Sequence, residues 1–204
     1  MGPGRHMSHG PQTRLDSTLG IGVASIQRVF SRSIAKGTLH RRSISVPPCH
    51  SRREPLGADS PPPGAPFDDH YRLSLIRDGL YFPDGQIHDE VYVYGSFIQS
   101  RMYQAGVTCS DCHEPHSLGL RAEGGQVCAR CHLPERYAVE SHHHHAPDSP
   151  GADCIACHMP QRAYMVIDER ADHSLRVPRA DLTLSLGSPN ACNQCHQDKD
   201  APWA

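Results

Sequence analysis

The residues able to do chemistry are cysteines and histidines, and they recur in one grouping. Cys109-Ser-Asp-Cys112-His113 is followed by Cys128-Ala-Arg-Cys131-His132, Cys154-Ile-Ala-Cys157-His158 and Cys192-Asn-Gln-Cys195-His196. Each matches C-x-x-C-H, the attachment signature of a c-type haem. Two thiols three positions apart reach the two vinyl groups of one porphyrin, each forming a thioether. The adjacent His then places an imidazole nitrogen under the iron as proximal ligand. With 16 His in 204 residues, four such placements by chance have odds of roughly a few in 100,000.

Zinc is the competing reading. Cys109, Cys112, Cys128 and Cys131 read C-x2-C-x15-C-x2-C, inside the spacing of a four-thiolate zinc site. Neither zinc nor a disulfide framework asks for a His after every second Cys, and disulfides leave one of the nine Cys over. The expectation is therefore four haem c groups, with a zinc-binding structural module as a lesser alternative. The ninth thiol lies in Val46-Pro-Pro-Cys49-His50. A Cys at position 46 would make this a fifth motif. As written, it offers one thioether through Cys49 with His50 beneath the iron, or a remnant site with a free thiol; the second is the expectation.

Each iron takes a sixth ligand or leaves that position open. A second His gives a bis-His site of low potential, whereas Met raises the potential. The spare histidines from residue 67 onward are His70, His88, His116, the run His142 to His145, and His173. They suffice to make the haems mainly bis-His. His116 lies too close to His113 to cap the same iron and is assigned to a neighbouring one. The internal histidine run reads as a ligand supply, and Met159 as packing on porphyrin. The candidate distal ligands are thus His116, His143, His145, His173 and His70. No nucleophile–base set or phosphate-binding loop accompanies them, so no catalytic residue is assigned. The two lysines, Lys36 and Lys199, stand in no C-x-x-C-K.

Positioning these groups falls to a sparse chain. Hydrophobic residues make up 37% and aromatics 6%, with 18 Pro and 17 Gly, thin for an ordinary packed core. Stacked porphyrins are expected to fill that core, so the apo-chain should fold poorly, as small metal domains do without their ion. The fold class expected is mostly α with extensive irregular loops. Residues 1–45, Arg- and Ser-rich, read as a disordered tail or a mis-assigned start. Residues 46–66 read as the degenerate motif and a Pro-rich linker without helix or strand pattern over 54–66, and 67–204 as the tetrahaem domain. Residues 71–76 fit a short helix or a strand, and Tyr81 to Gly85 a turn. Val91 to Met102 is read as one helix leading into the first motif. Pro178 and Pro189 keep the long gap before the last motif looped or extended. A net charge of −2 gives no case for nucleic acid, and no stretch approaches the roughly 18 apolar residues of a membrane span.

Gly106-Val-Thr-Cys-Ser-Asp-Cys-His-Glu-Pro-His116, Cys154-Ile-Ala-Cys-His-Met-Pro160, Asp172-His173-Ser-Leu-Arg-Val-Pro-Arg179 and Gly187-Ser-Pro-Asn-Ala-Cys-Asn-Gln-Cys-His196 resemble the multihaem c-type cytochromes related to cytochrome c nitrite reductase and hydroxylamine oxidoreductase. The closest likeness is to members with doubled C-x-x-C-H motifs, often fused to tetratricopeptide repeats, and it covers about residues 46–204. The resemblance implies distal roles for His173 and for His143 or His145, and it matches His116 to the family's C-x-x-C-H-x-P-H pattern. It also implies a periplasmic or otherwise extracytoplasmic location. Val46 breaks the family's first motif and no repeats follow the last one, as in a truncated member. The function expected is electron transfer with other cytochromes or quinol-linked donors as redox partners, a carrier rather than an enzyme. A haem-based oxidoreductase of small nitrogen or sulfur compounds is the alternative.

Overall fold

The computed structural model describes residues 46–204; the tail or mis-assigned start expected over 1–45 lies outside them. The architecture is mixed. Helices are four to six residues long and are set in irregular chain with two small antiparallel sheets. Helices this short carry little stability of their own, because nucleation consumes most of what one or two turns return. Something other than helical propensity must hold them.

After helix α1 (Pro47–His50), strand β1 (Arg53–Pro55) pairs with β2 (Tyr71–Leu73), Arg53 opposite Leu73. The Pro-rich linker expected over 54–66 is thus strand at its start. Pro55 is tolerated because a two-stranded sheet is all edge and asks for few of its N–H groups. The Leu56 N–H extends the ladder to the His70 carbonyl at 2.8 Å.

The chain then builds the one packed nucleus found among the described residues. Tyr81 and Ile87 bridge across a turn closed by Gly85 at φ +86°, a left-handed conformation that favours glycine. Leu80, Tyr81, Ile87 and Val91 are buried together with Tyr164. Burial, with Asp172 adding to it, pushes the Tyr81 hydroxyl up to about 12. Tyr164 arrives on the hairpin of β3 (Gln161–Tyr164) and β4 (Asp168–Ala171). Arg170 of that hairpin pairs with Glu90, and Arg162 donates to the Ile87 carbonyl at 3.3 Å.

Val91 to Met102 forms two helices, α2 (Tyr94–Phe97) and α3 (Arg101–Gln104), where one was expected. Ser100 is the reason. Its backbone is extended, and its hydroxyl accepts the Tyr103 N–H at 3.0 Å, capping a new helix instead of continuing the old one.

From α3 onward come α4 (Cys109–Cys112), α5 (Gln126–Ala129), α6 (Pro134–Tyr137), α7 (Glu140–His143), α8 (Cys154–His158), α9 (Asp181–Leu186) and α10 (Cys192–Cys195). None of these buries a residue fully. Protein side chains alone do not make a core here. Among the described residues no helix is long and apolar enough to cross a membrane.

Candidate functional site

Local capping sets the motif turns. The Asp111 carboxylate accepts the Thr108 N–H at 2.7 Å ahead of α4, and Asp153 Oδ1 accepts the Ile155 N–H at 3.1 Å at the start of α8. Asn190 Oδ1 does the same for Asn193 before α10, at 2.9 Å. Each cap begins a turn that ends on the motif histidine. The His113, His132 and His196 N–H groups return to the carbonyl of the first motif Cys at 2.8, 2.9 and 2.9 Å. The Val46 segment adopts the same turn, with the His50 N–H on the Val46 carbonyl at 3.0 Å, and Cys49 and His50 exposed. Only the first thiol is missing there.

The four turns stand in single file. Arg130 reaches from the second motif to the Asp111 carbonyl of the first. Cys128 shares a side-chain hydrogen bond with Cys154, joining the second to the third, and Cys157 is within electrostatic reach of Cys192 and Cys195 of the fourth. Burial first, and these neighbouring thiols next, push Cys128 up to about 11; burial also raises Cys109, Cys112 and Cys157. No two of the nine Cys form a disulfide.

The histidines are brought into pairs. The His113 ring faces His173 with centroids 6.3 Å apart and planes 25° from parallel. His158 faces His142 at 6.1 Å and 11°. His196 faces His145 at 5.9 Å and 26°. Two imidazoles sharing one metal ion from opposite sides stand about 6 Å apart, from two bonds of about 2 Å and about 1 Å from each nitrogen to its ring centre. The centroid distances of the three pairs therefore fit an intervening metal ion.

The tautomers agree. His158 Nδ1 is hydrogen-bonded to the Arg176 carbonyl at 2.6 Å, His173 Nδ1 to the Ala171 carbonyl at 2.9 Å, and His145 Nδ1 to the His143 carbonyl. A proton held on Nδ1 leaves Nε2 with its lone pair free to ligate. Burial lowers the pKa of His113, His132 and His142, with His173 adding to it at His113 and His158 at the other two. Neutral imidazole is the form that binds metal.

Two folding devices make these pairs. The hairpin β3–β4 leaves the third motif and returns His173 to the first. In the histidine run, His144 takes the left-handed conformation at φ 59° and ends α7. His142 and His145 then leave one helical face and turn to different rings.

The remaining candidates lie elsewhere. The second motif's His132 meets Tyr137 edge-on, at 5.7 Å and 85°, and Tyr137 also meets His142 at 5.3 Å. His143 accepts the His145 N–H on Nδ1 at 3.2 Å. His116 is exposed, its N–H on the Glu114 carboxylate at 3.2 Å; His70 is half-buried directly before β2; His88 packs on Phe82 at 4.5 Å. Sequence reasoning passed over Arg176. Its carbonyl orients His158, while its guanidinium ties Ser174, the Asp84 carbonyl and Gln99 together at 2.6–2.9 Å. The signal for it was its place three residues after His173.

The zinc geometry is not found. Among the described residues no group of three or more His, Cys, Asp or Glu converges on a metal position, where a structural zinc needs four. No known family model matches the chain, and no curated protein matches it. A solved structure does: the outer cell wall cytochrome OcwA, at 18% identity and a TM-score of 0.52, over 76% of this chain and 48% of that one. The chain has a cytochrome-like fold. It spans about half the length of that cytochrome.

Proposed function

We propose that the chain carries electrons through four covalently attached c-type haems, mainly bis-His ligated. The observation that carries this reading is the set of three near-parallel imidazole pairs, each joining a C-x-x-C-H histidine to a second His. Haem c, when bound, supplies a one-electron Fe(III)/Fe(II) couple whose potential the axial ligands and burial set. The paired thiols tether the groups at Cys109 and Cys112, Cys128 and Cys131, Cys154 and Cys157, and Cys192 and Cys195. His113, His132, His158 and His196 hold the proximal positions. His173, His142 and His145 hold the distal positions of the first, third and fourth. The Arg176, Ala171 and His143 carbonyls fix three of these rings by their Nδ1 protons. With two nitrogen donors per iron, the potentials fall in the low range.

A low-potential carrier of this kind serves redox partners such as other cytochromes or quinol-linked donors, outside the cytoplasmic membrane where haem c is attached. One observation favours a second reading. His132 meets a tyrosine and not a parallel imidazole among the described residues, which suits a haem-based oxidoreductase acting on a small ligand at the second motif.

The deciding experiment produces the protein in a host with cytochrome c maturation machinery. Intact mass should show four covalent haems, and the oxidised protein should give mainly low-spin resonances. Two haems or fewer, or bound zinc, overturn the reading; a large high-spin signal that responds to nitrite or hydroxylamine favours the enzyme.

A further inference from the structure

Gly151 lies in the short 3-10 turn Pro150–Ala152, directly before the cap of the third motif. Its φ is not in the left-handed region, so the backbone has no need of glycine there. Alanine would even be preferred in a helical turn, by up to about 1 kcal/mol. What excludes a larger residue is the His145 imidazole. A Cβ on residue 151 would come within 2.5 Å of its Cγ and 2.6 Å of its Nε2, closer than the 3.0 Å that real Cβ atoms keep.

The ring has little freedom to yield. Its Nδ1 is held by the His143 carbonyl, and the backbone N–H of His145 donates to His143 Nδ1. It also stands opposite His196. A methyl at 151 would press on the ring and crowd Nε2, the nitrogen left free by the bond at Nδ1. We propose that Gly151 is a positioning residue whose missing side chain seats His145 as the distal ligand of the fourth motif's haem. The inference rests on the bis-His reading above. It joins the third motif to the fourth: the turn that starts one haem's attachment helix shapes the ligand of the next.

The test compares the parent with Gly151→Ala, His145→Ala and the double variant, each matured with haem. Intact mass counts haems, and electron paramagnetic resonance with carbon monoxide binding counts open irons. The expected result is four haems in Gly151→Ala with one iron turned high-spin, as in His145→Ala, and with added imidazole restoring low spin in both. The double variant should match His145→Ala alone, because coupled sites are not additive. Should Gly151→Ala lose a haem through misfolding, the proposal requires the double variant to regain it, since the obstructed ring is gone. Spectra of Gly151→Ala that overlay the parent's, beside a high-spin His145→Ala, overturn the role of Gly151 and leave the bis-His reading standing. A silent His145→Ala overturns both.

Discussion

Residues 80–100 and the segment 101–160 are built on different principles. In the first, Leu80, Tyr81, Ile87 and Val91 bury one another against Tyr164, and Gly95, Ser96, Phe97 and Ser100 are buried beside them. In the second no residue is fully buried, and four of its short helices, α4, α5, α7 and α8, carry a thiol or an imidazole. The first region folds by removing apolar surface from water, at roughly 25 cal/mol per Å². The second has no such surface of its own to remove. On the proposed haem reading it is a set of brackets for a bound group, and its order would be coupled to attachment in the way metal binding is coupled to folding.

The largest effect should come from withholding haem. Protein made without maturation machinery should keep slow amide exchange around 80–91 and lose it over 101–160. Equal protection in both regions would show that the brackets stand unaided. Next in size is His173→Ala. The hairpin that presents His173 is anchored in the packed region by Arg170 and Tyr164, while the ring serves the other. Haem count should stay at four while one iron turns high-spin, binds carbon monoxide when reduced and rises in potential; His173→Met should also raise the potential but keep that iron low-spin. Spectra unchanged in both variants would remove His173 from the ligand set.

A third variant separates the regions from the opposite side. Leu80→Ala should destabilise by about 2–5 kcal/mol, from lost burial plus a cavity. Chemical denaturation followed by tyrosine or tryptophan fluorescence reads it, and visible haem spectra in native buffer should not move. A spectral shift would mean that the nucleus sets haem geometry directly. The smallest effect belongs to the exposed pair Arg179–Asp181. Arg179→Ala should leave both the unfolding midpoint and the spectra within error, as solvent-screened pairs do.

The histidine pairing was only partly legible from the residues. Of the candidates His116, His143, His145, His173 and His70, the three pairs contain His173 and His145. His142 was passed over in favour of His143 and His145, because four identical residues in a row differ only in backbone conformation. The left-handed turn at His144 tells them apart. The single helix expected over 91–102 missed a Ser whose hydroxyl competes for the backbone. The hairpin β3–β4 was hidden because Met165, Val166 and Ile167, at its turn, carry no turn chemistry. Met165 and Val166 take positive φ nonetheless, at 50° and 76°.

What the sequence determined alone is the local geometry of the motifs. A C-x-x-C-H segment closes into the same short turn wherever it stands, since its capping and hydrogen bonds span no more than five residues. Even Val46 to His50 closes that way without its first thiol. Which imidazole faces which depends on contacts between residues 16 to 60 positions apart. These are decided by where a hairpin folds back, where one residue turns left-handed, and where a glycine leaves room for a ring. Such outcomes depend on space shared by distant segments, and that space exists only once the chain is folded.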